Sequence, residues 1–300
     1  MSILVDRNTK VLIQGITGSS GQRFVMSMSN YYSKPVAGVT PGKLGQKVDD
    51  VPVYDTVKEA LHFHPEINFS SINVPPAHVK NAVFEAIAAG IKNIFIYAER
   101  VPIHDALEII SFAEKNGVWI IGPNSPGIIS PGKGRIGAIG GSKDYLNQIF
   151  KPGSAGVVAR SGGMTTMVSW LLAEAGIGQS TALGCGGDPI IGSPIKRLYP
   201  KFLADEETKV IVLFCEVGTS YEEDFAAYLK KEGIGKPIVA FIAGRYALPG
   251  FRYGHAGAIV EGNVGTWQSK YDSLRNAGVL VAEYLKDIPL LTERCLKKHG

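Results

Sequence analysis

Cysteine is scarce. Cys185, Cys215 and Cys295 are the only three in 300 residues, they form no CxxC pair, and their odd number argues against a disulfide scaffold. A reducing compartment is the expectation. Runs of like charge are also missing: 31 basic and 27 acidic residues leave a net +4 spread along the chain, so nothing calls for a nucleic acid or an anionic membrane as partner. No stretch approaches ~18 uninterrupted apolar residues, and the opening Met1-Ser2-Ile3-Leu4-Val5-Asp6-Arg7 lacks the apolar run of a leader peptide. A cytoplasmic protein with no membrane contact is expected. His62, His64, His78, His104 and His299 show no ligand spacing with cysteines or acids, so no metal site is expected.

What the chain does have is length and apolar material for two domains, with 45% hydrophobic residues. Short apolar runs alternate with stretches of helical spacing, the sequence form of repeated strand-helix-strand units, so the fold class is α/β. The first set of strands is Lys10 to Gln14, Pro35 to Val39, Ile67 to Val74, Asn93 to Tyr97 and Trp119 to Gly122. A crossover helix is predicted from Ala77 to Ala89, with Val79, Val83, Phe84, Ile87 and Ala88 on one face and Gly90 as its stop. Between Pro123 and Gly141 the texture turns Gly- and Pro-rich, as in a linker, which places a domain boundary near residue 130. The alternation then restarts with strands Ser154 to Ala159, Val210 to Cys215, Pro237 to Ala243 and Val279 to Ala282, and a helix from Gly163 to Ala175. Arg294 to Gly300 reads as a frayed, solvated tail.

Two glycine-rich turns carry chemistry. The first strand runs into Gly15-Ile16-Thr17-Gly18-Ser19-Ser20-Gly21, a tight strand-to-helix turn that would aim free N–H groups at a phosphate. Its G-x-x-G-x-x-G spacing differs from the dinucleotide G-x-G-x-x-G pattern, and the second strand ends at Val39-Thr40-Pro41-Gly42-Lys43, with a cation where an acid commonly holds ribose hydroxyls. CoA, with its 3′-phosphate, fits this pair better than NAD; NADP competes, and a bare turn with an exposed lysine stays open. The second turn, Arg160-Ser161-Gly162-Gly163-Met164-Thr165-Thr166, starts a helix and reads either as an anion cradle or as a plain N-cap.

His255 stands among small residues in Tyr253-Gly254-His255-Ala256-Gly257-Ala258-Ile259, where the backbone permits close approach. A nucleophilic histidine needs one ring nitrogen free while the other is held, commonly by a carboxylate. Glu216, ending the apolar strand Val210 to Cys215 at the carboxyl edge where α/β folds place their sites, is the candidate partner; Glu222 and Glu223 read as a solvated helix start. The loop Gly184-Cys185-Gly186-Gly187-Asp188-Pro189 is either a further site loop or only a turn.

These residues together, with Ile121-Gly122-Pro123-Asn124, closely resemble the alpha subunit of succinate–CoA ligase along essentially the whole chain. The resemblance implies a Rossmann-like CoA-binding domain over residues 1–130 and a flavodoxin-like ligase domain over 131–300. It implies CoA contacts at Thr17, Gly18, Ser19, Ser20, Lys43, Tyr97, Ala98 and Glu99, a phosphate cradle at Ser161, Gly162 and Gly163, and a substrate contact at Thr166. It makes His255 a phosphoryl carrier with Glu216 as its partner. ATP or GTP, with Mg, would sit on a separate beta-type subunit of ATP-grasp fold; in keeping with this, no G-x-x-x-x-G-K-[ST] loop occurs here. The reaction implied joins a small carboxylic acid to CoA through a phosphohistidine and an acyl phosphate.

Three departures bear on the acid. Met164-Thr165-Thr166-Met167 stands where the succinate enzymes have a tyrosine beside the acid site, Arg100 replaces the glycine of a Glu-Gly-Ile-Pro run, and Ser125 replaces a cysteine. The Arg-Ser-Gly-Gly-Met run and the Gly140-Gly141 region look like ATP-citrate lyase, which makes a citryl-CoA synthetase subunit the alternative, although Leu107 stands where citrate lyase uses an arginine. An NADP-binding oxidoreductase and a non-catalytic CoA-binding protein are the remaining readings.

Overall fold

In the computed structural model, which describes residues 2–29, 31–141, 143–260 and 262–299, two sheets are built one after the other along the chain. The first uses β1 (Val11–Gln14), β2 (Pro35–Val39), β3 (Lys47–Val48), β4 (Val51–Tyr54), β5 (Phe69–Ile72), β6 (Asn93–Ile96) and β7 (Trp119–Ile121), with helices α1 (Ser19–Ser29), α2 (Val57–Phe63), α3 (Val79–Ala88) and α4 (Ile103–Lys115) between them. Its order is β3-β4-β2-β1-β5-β6-β7, parallel except for the β3–β4 hairpin. Without that hairpin strand it is the doubly wound Rossmann order.

The second sheet contains β8 (Gly127–Ser130), β9 (Gly134–Gly137), β10 (Pro152–Ala159), β11 (Gln179–Gly184), β12 (Val210–Glu216), β13 (Ile238–Ala243) and β14 (Leu280–Val281), with α5 (Lys143–Ile149), α6 (Gly162–Glu174), α7 (Ile195–Ala204), α8 (Tyr221–Glu232), α9 (Trp267–Asn276) and α10 (Ile288–His299). The order is β14-β13-β12-β10-β11-β8-β9, whose five parallel strands follow the flavodoxin-like pattern. β12 is buried at every position, Val210 to Glu216, as a central strand covered on both faces must be.

Four expectations change. The Gly- and Pro-rich stretch after Pro123 is not only a linker: β8 and β9 pair as a hairpin, Ile128 with Ile136, and β8 joins β11 antiparallel, so the second sheet begins N-terminal to residue 130. Strands this short, bounded by glycine, carry too few residues to reveal a period of two. The face that α3 buries is Val79, Ala82, Val83, Ala86 and Ile87; Phe84 is half-buried against Phe112, and Ala88 is exposed. The region from Arg294 lies within α10, where Ile288, Thr292 and Cys295 are buried against the second sheet; Gly300 is outside the described residues. Glu222 is 3% exposed, and both it and Glu223 bind the Lys270 ammonium, itself 0% exposed. Among the described residues no helix is long and apolar enough to cross a membrane.

Candidate functional site

The carboxyl ends of the two parallel sheets face a shared cavity of about 660 Å³, lined from the first half by Gly18, Ser19, Ser20, Asn73 and Tyr97 to Glu99, and from the second by Gly162 and His255. The first glycine turn needs its glycines. A Cβ on Gly21 would lie 2.4 Å from the Gly15 carbonyl oxygen and 2.6 Å from the Ile16 Cα, so α1 can start this close to β1 only without one. The N-terminus of α1, at Ser19, thereby opens into the cavity with free N–H groups.

The sequence-predicted residues divide. Gly18, Ser19, Ser20, Tyr97, Ala98 and Glu99 line this cavity, and Tyr97 packs edge-on against Phe24 of α1. Thr17 is not in the lining: its hydroxyl donates to the Thr40 hydroxyl at 3.2 Å, tying the end of β1 to that of β2. Lys43 is exposed on the turn after β2, where its backbone N–H donates to Asp55. Arg100 sits in the left-handed region, φ 58°, so a glycine there would be free of strain; its guanidinium is exposed and 3.8 Å from the Glu99 carboxylate.

In the second half the histidine and its partner meet. The His255 Nδ1 lies 2.9 Å from both carboxylate oxygens of Glu216, with the imidazole 25% and the carboxylate 10% exposed. Facing a carboxylate, Nδ1 carries the proton and donates it, which leaves Nε2 with its lone pair. Gly187 is required by this ring, since a Cβ there would come within 2.7 Å of the His255 Cδ2. The buried Arg160 guanidinium, 3.6 Å from Glu216, is fixed by donating to the carbonyls of Gly186 and Asp188 and to the Thr219 hydroxyl, and lies over the Tyr221 ring.

His255 also lines a second, smaller cavity of about 240 Å³ together with Ser161, Met164, Glu216, Val217 and Gly244. Its imidazole thus borders both spaces, and the N-terminus of α6 lies between them, Gly162 on the larger and Ser161 on the smaller. The Ser161 hydroxyl caps α6 by accepting from the Met164 N–H. Cap and cradle are compatible, because the first N–H groups of α6 have no helical partner. Gly163 is exposed at the helix start. Thr166 turns its hydroxyl back to the Gly162 carbonyl at 3.4 Å and lines neither cavity.

Burial pushes the Cys185 thiol up to about 12 and the Cys215 thiol well above its ordinary value, so neither supplies a thiolate near neutral pH. Sequence reasoning assigned no role to Arg160, Asp188, Asn124 or Asn73. Asp188 accepts from the Asn124 amide at 3.1 Å and from the Val101 N–H at 3.3 Å, joining the loops of the two sheets. The signal for Asp188 was its place in the glycine loop after β11; Asn73 had only the oddity of a polar residue closing an otherwise buried strand.

Comparison with known proteins agrees with this architecture. Residues 6–100 match the CoA binding domain family and residues 158–280 the CoA-ligase family. The chain is 45% identical over 296 residues to a succinate–CoA ligase [ADP-forming] subunit alpha 2 of Archaeoglobus fulgidus, covering 99% of this chain and 100% of that one. It is 41% identical to an ADP-forming sulfoacetate–CoA ligase subunit of Acholeplasma sp, covering 98% of each. A solved Methanosaeta concilii ATP citrate lyase in complex with (3S)-citryl-CoA superposes with a TM-score of 0.88 at 26% identity, over 99% of this chain and 51% of that one.

Proposed function

The chain belongs to the family of alpha subunits of ADP-forming acid–CoA ligases, and on that premise we propose that it is the CoA-binding, phosphohistidine-carrying subunit of a nucleotide-dependent ligase that makes a thioester from a small di- or tricarboxylic acid or a similarly charged acid. The observation that carries this reading is His255, held through Nδ1 by Glu216 while its ring borders two cavities. In this reading residues 1–130 form the CoA half and 131–300 the ligase half, a division that the two successive sheets support.

The roles in this reading are as follows. Nε2 attacks the γ-phosphorus of ATP or GTP, held with Mg on a beta-type ATP-grasp partner, and the nucleoside diphosphate leaves. Glu216 stabilises the positive charge that the ring gains on phosphorylation. The acid's carboxylate then takes the phosphoryl group from Nε2 as an acyl phosphate. The N-terminus of α6 at Ser161, Gly162 and Gly163 offers N–H groups to the phosphoryl oxygens, and Thr166 lies one turn further on as the candidate substrate contact.

The larger cavity is the CoA site in this reading. Gly18, Ser19 and Ser20 at the start of α1 suit a phosphate, with Thr17 and Lys43 beyond the lining to meet the nucleotide end and Tyr97, Ala98 and Glu99 along the arm. When bound, its thiol converts the acyl phosphate to the thioester, releasing phosphate. The exposed Arg100, next in sequence to Glu99 of the lining, is a cation suited to an acid with a second anionic group.

The test is to co-purify the chain with its partner and incubate with γ-phosphate-labelled ATP or GTP. An acid-labile, base-stable label is expected on the wild type and none on His255→Asn; a label that survives the substitution overturns the reading. CoA-dependent release of nucleoside diphosphate over succinate, sulfoacetate, malate and citrate then names the acid. Citrate as the best substrate would favour the citryl-CoA synthetase alternative, and turnover of none would favour a non-catalytic CoA-binding protein.

A further inference from the structure

Among the described residues, five other than glycine have φ in the left-handed region, and Thr219, at 53°, is the only β-branched one of the five. A branched Cβ is poorly tolerated there, and such a residue persists only where its surroundings hold it. They hold it from both sides of the peptide: the Lys270 ammonium donates to the Thr219 carbonyl at 3.0 Å, and the preceding Gly218 N–H donates to the Gly265 carbonyl at 2.7 Å. Glycine would take this conformation freely, so the reason for a threonine lies in its side chain.

The Thr219 hydroxyl accepts from the Arg160 Nη1 at 3.0 Å. The other edge of that guanidinium, Nε and Nη2, donates to two carbonyls of a different loop, Gly186 at 3.3 Å and Asp188 at 2.9 Å. Arg160 is thus stretched between two loops, and Thr219 is its anchor on the loop that follows Glu216. The guanidinium also lies against the histidine's own loop, since a Cβ on Gly257 would come within 2.5 Å of Nη2. Held in this way, Nε stops 3.6 Å from Glu216, near enough to attract the carboxylate and too far to hydrogen-bond it. Both carboxylate oxygens stay 2.9 Å from the His255 Nδ1.

We infer that Thr219 is a positioning residue for the phosphoryl-accepting histidine, its hydroxyl holding Arg160 at the distance where the guanidinium attracts Glu216 without hydrogen-bonding it. This rests on the reading of His255 as the phosphoryl carrier. Without the hydroxyl, Nη1 of a buried cation loses its acceptor, and the Glu216 carboxylate is the strongest acceptor close by. A guanidinium that turned onto Glu216 would draw a carboxylate oxygen away from Nδ1 and offset the negative charge that balances the ring as it is phosphorylated. The imidazole would then be less firmly oriented, and Nε2 slower to attack.

The experiment follows His255 labelling by γ-phosphate-labelled ATP, at saturating ATP and by rapid quench, in the chain co-purified with its partner. Thr219→Ser keeps the hydroxyl, Thr219→Val keeps the branched shape without it, and Thr219→Gly removes both the hydroxyl and the strain. The serine variant is expected within about twofold of the wild-type rate and the valine and glycine variants each about tenfold slower, with ATP half-saturation within about twofold throughout. Melting temperature should divide them differently, glycine above valine, because only glycine relieves the backbone. A rate that follows the hydroxyl while stability follows the backbone is the mark of positioning. Valine and glycine variants at the wild-type rate, a serine variant as slow as glycine, or a glycine variant that regains rate in step with its stability overturns the inference. A wild type that takes no label defeats instead the phosphohistidine reading on which it rests.

Discussion

Glu216 lies between a fixed cation, the Arg160 guanidinium at 3.6 Å, and the His255 ring at 2.9 Å. Arg160 has no freedom to follow a moving partner, because the Gly186 and Asp188 carbonyls and the Thr219 hydroxyl hold its fork. It therefore fixes the carboxylate, and the carboxylate fixes the imidazole tautomer. Glu216→Gln preserves the shape but offers Nδ1 an amide without the negative charge that balances a phosphorylated ring. The rate of His255 labelling by ATP, followed by rapid quench, is expected to fall about 10²–10⁴-fold, with a melting temperature close to wild type. Labelling at the wild-type rate would remove Glu216 from the mechanism. The pairing was legible in the sequence because Glu216 ends an unbroken apolar strand, whereas Arg160 was not: an arginine in a glycine turn reads as an exposed charge until its acceptors are seen.

At the scale of elements, continuous apolar runs announce themselves, and short strands that carry Pro, Gly or charge do not. β12 and β13 were legible as apolar runs; β3, β4, β8 and β9 are two to four residues long and pair through backbone groups that composition does not report. The start of α8 was misread for a related reason. Glu222 and Glu223 look like a solvated first turn, yet Lys270 from α9 reaches them across 48 and 47 residues of sequence, and also donates to the Thr219 carbonyl. Burial alone would lower the Lys270 pKa, but Glu222 and Glu223 outweigh it and hold the pKa above its ordinary value. The stability this contributes is present below the ordinary lysine range and is lost as pH rises through the raised value. Lys270→Met strands the buried Glu222 carboxylate and the half-buried Glu223 carboxylate and is expected to cost about 3–5 kcal/mol, read as a lower urea midpoint at neutral pH. Adding Glu222→Gln to it should recover part of the loss; a single substitution with no cost would mean that the cluster is hydrated.

At the scale of the whole molecule, the order of the two halves was legible from the alternation of elements and the two glycine turns, but their contact was not, since no local pattern encodes which loops meet. The structure makes that contact through Asp188, 3% exposed, whose carboxylate accepts from Asn124 and Val101 while its carbonyl accepts from Arg160. Asn124 in turn donates its N–H to the Ala98 carbonyl and accepts from the Gly187 N–H, next to the His255 ring. This short chain of hydrogen bonds thus links the CoA-side wall to the histidine, beside others that join the halves, such as Arg135 to the Ser27 carbonyl and Arg197 to the Val118 carbonyl. On the proposed reading, phosphorylation of His255 would need only the second half and the partner, whereas thioester formation would need both walls in register. Asp188→Ala should therefore leave nucleotide-driven labelling of His255 within a few-fold of wild type. CoA-dependent turnover should fall about 10²-fold, the scale at which a misplacement of about 1 Å is felt. If both steps fell equally, the carboxylate would serve the histidine half alone; if neither fell, the walls would be held in register by other contacts. A loss confined to the CoA-dependent step is the outcome expected if the two sheets act as one site.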